Sequence, residues 1–374
     1  MDVKKKIFKS NLFSKTYNLK KLLAEKYDNA QNKIKVINVI GTNGKGSVSN
    51  YLQKQLMNSF PKVGLLTSPA FLKHNERIKI NNDFISDRNL KKLWKAVQGE
   101  AKEYQLTFFE IWVLMTIRYF IIEKVEVAVI EAGIGGELDA TNVFANQWGV
   151  LLTSVSLDHT EILGPTVEEI ALSKIKIWRG ECPVYLSNSC QKYLPTIQEI
   201  VPGDKITVAE KYQHAINYFQ EFNVGLVIAF LKNNNLPINY DLFKTPPLLG
   251  RFTILSKSPY FIIDGAHNVE GIEACIQAFE ELEHLDKENT VVLYAASKKK
   301  DFQSALAILK EHFGSKLYIT NFKNPLAWEI DDVVFNNKVK KWEQFLKQNK
   351  NKNILVCGSL YFIPLVYKFY VERM

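Results

Sequence analysis

The feature that most constrains this chain is the run Lys35-Val-Ile-Asn-Val-Ile40, which passes without interruption into Gly41-Thr-Asn-Gly-Lys-Gly-Ser47. A β-branched strand that empties into a glycine-rich turn carrying a lysine, followed by a helix over Val48 to Met57, predicts a phosphate cradle. Backbone around Thr42, Asn43, Gly44 and Gly46, together with the helix N-terminus, would hold phosphate oxygens, Lys45 would reach the terminal phosphates, and Ser47 would add a hydroxyl. The strict GxxxxGK[ST] spacing fails twice. Val39 stands at its first glycine, and Gly46 follows Lys45 and displaces the hydroxyl to Ser47.

Around this loop, apolar runs of strand length alternate with segments of helical period, the pattern of an α/β fold with a mostly parallel sheet. Strands are expected over Lys35 to Ile40, Val125 to Ile130, Gly149 to Val155 and Val184 to Leu186, with helices over Leu90 to Tyr104 and Phe108 to Glu123. After Thr245-Pro246-Pro247 a second set begins, with strands near Tyr260 to Ile263, Thr290 to Tyr294, Lys316 to Ile319 and Asn353 to Val356. The double proline reads as a linker, so a larger domain over 1–245 and a smaller one over 248–374 are expected.

In open α/β sheets ligands sit beyond the carboxyl ends of strands. Val125 to Ile130 leads into Glu131, followed by Gly133-Ile-Gly-Gly136, and a carboxylate at the end of a buried strand gains a reason to be there from a divalent cation beside phosphates. The next strand runs into Ser156-Leu-Asp-His159-Thr160. Two polar strand ends facing one cradle select His159 as a ligand rather than a structural histidine.

Charge and cysteines narrow the class. The 48 basic and 39 acidic residues leave a net charge of +9, and lysine runs such as Lys298-Lys-Lys300 keep a nucleic-acid-binding phosphate-loop protein open as a rival, although the basic residues are dispersed along the chain. No apolar run approaches the ~20 residues of a membrane span. Met1-Asp-Val-Lys-Lys-Lys leads into no apolar signal region, and Cys182, Cys190, Cys275 and Cys357 show neither CxxC pairing nor zinc spacing, so a cytoplasmic protein with reduced thiols and no membrane partner is expected.

With these residues in hand, the chain resembles the folylpolyglutamate synthase and dihydrofolate synthase family of the Mur ligase superfamily. The resemblance is carried by Gly41 to Ser47, Thr67-Ser-Pro69, Asn75-Glu-Arg-Ile78, Thr107-Phe-Phe-Glu110 and Glu131-Ala-Gly-Ile-Gly-Gly-Glu-Leu-Asp-Ala-Thr-Asn142. It continues through Leu157-Asp-His-Thr-Glu-Ile-Leu-Gly164, Glu168-Glu-Ile-Ala-Leu-Ser-Lys174, Leu249-Gly-Arg251, Asp264-Gly-Ala-His-Asn268 and Cys357-Gly-Ser-Leu-Tyr361. What it implies is a phosphate-loop, Mur-ligase-like ATPase domain with a smaller Rossmann-like α/β domain behind it. The implied reaction is ATP-dependent addition of L-glutamate to the carboxylate of a reduced folate through an acyl phosphate, by a monomer that binds no nucleic acid. A muropeptide substrate is the alternative within the same chemistry, and the Thr67 and Asn75 segments favour the folate branch.

Carried over position by position, Ser68, Glu131 and His159 resemble ligands of two magnesium ions. Lys174, expected on a helix from Val167 to Lys176, resembles a lysine that is carbamylated in the family and so becomes an anionic oxygen ligand. Asn223, on a helix from Gln220 to Leu231, resembles an adenine-side contact, and Arg251 and Asp264 resemble ATP contacts of the linker and second domain, with His267 beside them. The resemblance implies closure across Pro246-Pro247 that brings Arg251 onto the phosphates. Thr107, Leu138, Asp139 and Ala140 match folate contacts. Four departures stand out: Ala70 in place of a histidine, Glu137 in place of an arginine, Ile175-Lys176 in place of Ala-Gly, and Asn18-Leu19-Lys20 where bifunctional relatives carry Asp-Leu-Gly. Loss of that carboxylate and glycine argues against use of dihydropteroate.

Overall fold

The computed structural model describes residues 18–245, 248–298 and 301–374. The expected hinge at Pro246-Pro247, most of the Lys298 to Lys300 run, and Ser14 to Tyr17 of the N-terminal segment lie outside the described residues. The chain divides into two compact units, Met1–His214 with Glu221–Lys244, and Ala215–Gln220 with Thr245–Met374. The short Ala215–Gln220 excursion into the second unit carries no compositional mark in the sequence.

The first unit holds a sheet of β1 (Lys35–Ile40), β2 (Val63–Leu66), β3 (Ile78–Ile80), β4 (Asp83–Phe84), β5 (Val127–Glu131), β6 (Gln147–Leu152), β7 (Val184–Leu186) and β8 (Ile206–Val208). Their order is β4-β3-β2-β5-β1-β6-β7-β8, parallel from β2 to β8, with β3 and β4 added antiparallel at one edge. Burial on both faces explains the continuous apolar strands: β5 is buried at every residue, and β1 at all but Lys35. Helices Asn18–Tyr27, Asp87–Glu103 and Phe108–Ile122 pack one apolar cluster with Val36, Ala128 and Ile130, while Val167–Ile175 and Leu194–Gln198 contribute to another with Ile40, Val150 and Leu152.

The second unit holds β9 (Thr253–Lys257), β10 (Tyr260–Ile263), β11 (Thr290–Tyr294), β12 (Leu317–Thr320), β13 (Lys338–Val339) and β14 (Asn353–Cys357), ordered β13-β12-β11-β14-β10-β9. All pairs are parallel except β9 with β10. Its core gathers Ile262, Ile272, Phe279, Val292, Leu309 and Leu355.

Several boundaries differ from the sequence expectation, and three of the differences concern the site. The helix after β1 begins at Lys45 rather than Val48, because Gly44 already supplies the left-handed N-cap at φ 84°. Strand β5 includes Glu131 as its last residue. Strand β6 stops at Leu152 instead of Val155, since Thr153 to Ser156 leave the sheet to bond the glycine-rich loop.

Candidate active site

Strand order builds the site. Four neighbouring parallel strands, β2, β5, β1 and β6, release Ser68, Glu131, the Gly41–Gly44 loop and the Thr153–His159 segment at their carboxyl ends. That edge is where an α/β sheet leaves its strand-end backbone groups for ligands.

The loop is clamped by the segment after β6. The Thr42 N–H donates to Ser154 O at 2.8 Å, the Asn43 N–H to Ser154 Oγ at 3.0 Å, and the Ser156 N–H to Thr42 Oγ1 at 3.1 Å. Thr153 Oγ1 donates to the carbonyls of Ile40 and Asn43. The packing is close enough to require glycine. At Gly41, φ 142°, a Cβ would sit 2.0 Å from Thr153 Oγ1, and at Gly44 it would sit 2.4 Å from Asn223 Oδ1. Asn223 is thus beside the N-terminus of the Lys45–Leu56 helix, a placement that more than 170 intervening residues hide from a linear reading. Thr153 and Ser154 were not singled out in the sequence, although a hydroxyl-rich strand end is the signal that could have found them.

Two lysines converge on the same loop. Lys45 Nζ donates to the carbonyls of Gly41 and Thr42, both at 3.0 Å, and Lys174 Nζ donates to Gly41 O at 3.0 Å from the Val167–Ile175 helix. Lys174 is 4% exposed, so its charge belongs to the interior of the site and not to a solvated helix face. Glu131 is 2% exposed, and its Oε2 accepts the Ser68 N–H at 3.1 Å, which brings these two residues together. His159 adopts the left-handed region, φ 53°, as N-cap of Thr160–Leu163, a conformation that costs roughly 1–2 kcal/mol for a side-chain-bearing residue. Its ring nitrogens lie 3.8 Å from Asp158 Oδ1 and Glu161 Oε1.

Among the described residues no three His, Cys, Asp or Glu side chains converge on one point. Magnesium fits this arrangement: it keeps several waters and binds through one or two carboxylates plus substrate phosphates, and Glu131 stands beside a phosphate-type loop.

The expected folate residues are structurally committed as well as placed. Thr107 caps the Phe108–Ile122 helix in a capping box with Glu110, whose other oxygen accepts the Leu19 N–H at 3.1 Å. Asp139 is buried and folds the Gly133 to Asn142 loop by accepting N–H groups of Ile134 and Thr141, and burial raises its carboxyl above the usual range. Leu138 is exposed, and Ala140 packs against the first core cluster.

In the second unit, Asp264 follows β10 and bonds two N–H groups, Ala266 at 2.6 Å and Phe252. Burial pushes its carboxyl up to about 6 against the opposing Arg251 charge. Phe252 takes φ 48°, and the Gly265 N–H donates to Gly250 O at 2.9 Å, so the loops carrying Arg251 and His267 are tied together. His267 Nδ1 lies 2.8 Å from Gly265 O, and Asn268 caps the Val269–Glu280 helix.

A phosphate loop on a mostly parallel sheet, followed by a second parallel α/β unit, defines the two-domain architecture of the Mur ligases, and residues 250–360 match the family described as Mur ligase, glutamate ligase domain. The dihydrofolate synthase/folylpolyglutamate synthase of Bacillus subtilis is 28% identical, covering 94% of this chain and 93% of the relative, and the folylpolyglutamate synthase of Lacticaseibacillus casei is 27% identical, covering 90% of each. The Escherichia coli FolC structure in complex with ADP superposes with a TM-score of 0.86 at 23% identity, covering 99% of this chain and 98% of that one. A Yersinia pestis bifunctional enzyme complexed with AMPPNP and Mn ion gives 0.82 at 22% identity, covering 97% and 94%. Over nine-tenths of its length the chain is thus similar to folylpolyglutamate synthases and dihydrofolate synthase/folylpolyglutamate synthases, and its second unit carries the match to the Mur ligase, glutamate ligase domain.

Proposed function

We propose that this protein is a folylpolyglutamate synthase, joining L-glutamate to the terminal carboxylate of a reduced folate at the expense of ATP. The observation that carries the reading is the convergence of the Gly41–Lys45 loop, Lys174 and the Thr153–Ser156 clamp beside the strand that ends in Glu131. A carboxylate is a poor electrophile. Its oxygen attacks the γ-phosphorus of ATP and ADP leaves, the amino group of glutamate attacks the resulting acyl phosphate, and phosphate leaves as the amide forms.

The chain's own work is to gather anions and keep them in line. Lys45 and the N–H groups of Gly44 to Ser47 hold the triphosphate, Thr42 and Asn43 border it, Asn223 bounds the nucleotide beside Gly44, and Arg251, Asp264 and His267 are assigned as further ATP contacts. Glu131, Ser68 and His159 would hold magnesium, two ions in all, which neutralises phosphate charge and acts as a Lewis acid. Lys174 is assigned a carbamate, which converts its buried ammonium into an oxygen ligand. Thr107 and Leu138 to Ala140 border the folate. The 1–245 domain thus binds ATP and folate, and the 248–374 domain completes the glutamate ligase. We assign it as a cytoplasmic monomer. Among the described residues no helix is long and apolar enough to cross a membrane.

The test is ADP release with dihydropteroate, tetrahydrofolate and methylene-tetrahydrofolate, each with and without glutamate. Release that requires both a reduced folate and glutamate supports the assignment. Equal efficiency on dihydropteroate identifies a bifunctional dihydrofolate synthase/folylpolyglutamate synthase instead.

A further inference from the structure

Strand β6 does not run evenly beside β1. Val36 pairs with Gln147 and Ile37 with Gly149, so Trp148 is an extra residue on β6, a bulge. Side chains alternate between the two faces of a strand, and a slip of one residue moves them to the opposite face. Val150 and Leu152 share an apolar cluster with Ile170, Ala171 and Ile175 of the Lys174 helix, whereas a Cβ at Gly149 would meet Phe230 on the other side of the sheet. Trp148 also packs on Phe230, with ring centroids 5.2 Å apart. Without the bulge Gln147 would lie on the Phe230 face. With it, Gln147 turns to the face of Asn38 and the Lys174 helix.

There Gln147 joins three segments. Its Nε2 donates to Asn38 Oδ1 at 2.8 Å and to Ile177 O at 3.0 Å, and its Oε1 accepts the Arg179 N–H at 3.0 Å. Asn38 lies within β1, three residues before Gly41, and Ile177 lies three residues after Lys174, whose Nζ reaches Gly41 O at 3.0 Å. The Lys174 segment is therefore tied to β1 at two points, one at the phosphate loop and one inside the strand. A single tie lets a helix swivel about it, while two fix its rotation. Gly136, packed against Lys174 O, limits approach without setting that rotation. Neither Gln147 nor Asn38 belongs to a segment that carries the family resemblance, so no motif marks them.

We infer that Gln147 is a positioning residue: the β6 bulge turns it inward so that, with Asn38, it holds the Lys174 helix at the rotation that delivers Nζ to Gly41. The inference rests on the ligase reading, in which Lys174 is part of the catalytic site, and it adds the part of the scaffold that aims this side chain.

Amine labelling of the full chain, without nucleotide or bicarbonate so that Lys174 carries a free amine, tests this apart from turnover. Brief treatment with a succinimidyl ester and peptide mass analysis read Lys174, 4% exposed, against Lys79, which is 6% exposed and bonded to Gln53 on the Lys45–Leu56 helix. In Gln147→Met, which keeps the reach of the side chain and removes its N–H donors, Lys174 should label about tenfold faster while Lys79 stays within about twofold. The value of kcat should fall by a similar factor with KM for ATP little changed, because Lys45 and the N–H groups of the loop are untouched. Asn38→Leu also deletes a buried Nδ2 donor that has no partner among the described residues, so it should keep the fold and show the same selectivity at about threefold. Labelling of Lys174 that rises in neither variant, or that rises together with Lys79 as general loosening requires, overturns the assignment. Selective exposure of Lys174 in a chain that turns over no folate refutes the ligase reading alone, whereas folate-dependent turnover with unchanged labelling refutes only the positioning role.

Discussion

The strand-end loops of the two units solve opposite electrostatic problems. In the first unit, two lysines point at backbone carbonyls of one glycine-rich loop, so positive charge is concentrated where phosphates would go. In the second, a single buried acid, Asp264, gathers two N–H groups and orders the loop carrying Arg251. One region is built to receive anions, while the other spends its anion on holding itself together. Substitutions should therefore cost catalysis in the first region and shape, with a pH signature, in the second.

The largest effect is expected at the loop. Lys45→Ala, Glu131→Gln and His159→Ala should each lower kcat by about a hundredfold or more, the loss typical of one transition-state charge stabiliser. Turnover within a few fold of wild type for Lys45→Ala would remove the contrast between the units. Lys174→Ala should also abolish activity and recover part of it with added small carboxylic acids, and mass analysis of the active, nucleotide-bound enzyme should show the carbamate.

A smaller effect is expected from sterics. Gly136→Ala places a Cβ 1.9 Å from Lys174 O, which forces the two segments apart and should cost about 1–3 kcal/mol by overpacking, measured by urea unfolding. Activity should fall as well because Lys174 moves. Substrate preference follows in size: kcat/KM for tetrahydrofolate should exceed that for dihydropteroate by at least about tenfold, since Asn18-Leu19-Lys20 lacks a carboxylate to accept the pterin N–H donors.

The smallest effect sharpens the second half of the comparison. Because burial raises Asp264 to about 6 from 3.8, its protonated form is favoured by folding, so its contribution is full below about 4 and is lost as pH rises through 6. The difference in Tm between wild type and Asp264→Ala should thus be larger at pH 5 than at pH 8. A pH-independent difference would show that Asp264 does not titrate in this range.

How far the sequence could be read follows from the same contrast. The glycine-rich loop, the buried parallel strands and the polar strand ends at Glu131 and His159 are local signals: a β-branched run, a φ-permissive turn, a charge where packing offers no reason for one. What stayed hidden depends on strand order. The clamp between Thr42 and Ser156 joins residues more than a hundred positions apart, and only the adjacency of β1 and β6 makes it necessary. Edge strands such as Asp83–Phe84 are too short to carry a period. Asp264 is marked in the sequence only by its resemblance to an ATP contact, and its bonds to Phe252 and Ala266 exist only once both loops are folded.

The most direct measurement counts ADP and glutamylated folate formed in the same reaction with Mg-ATP, tetrahydrofolate and glutamate. The ligase account predicts one ADP per amide, neither product when either acceptor or glutamate is withheld, and loss of both in Lys45→Ala. ADP release that persists without folate, or that rises on adding DNA at physiological salt, would contradict it.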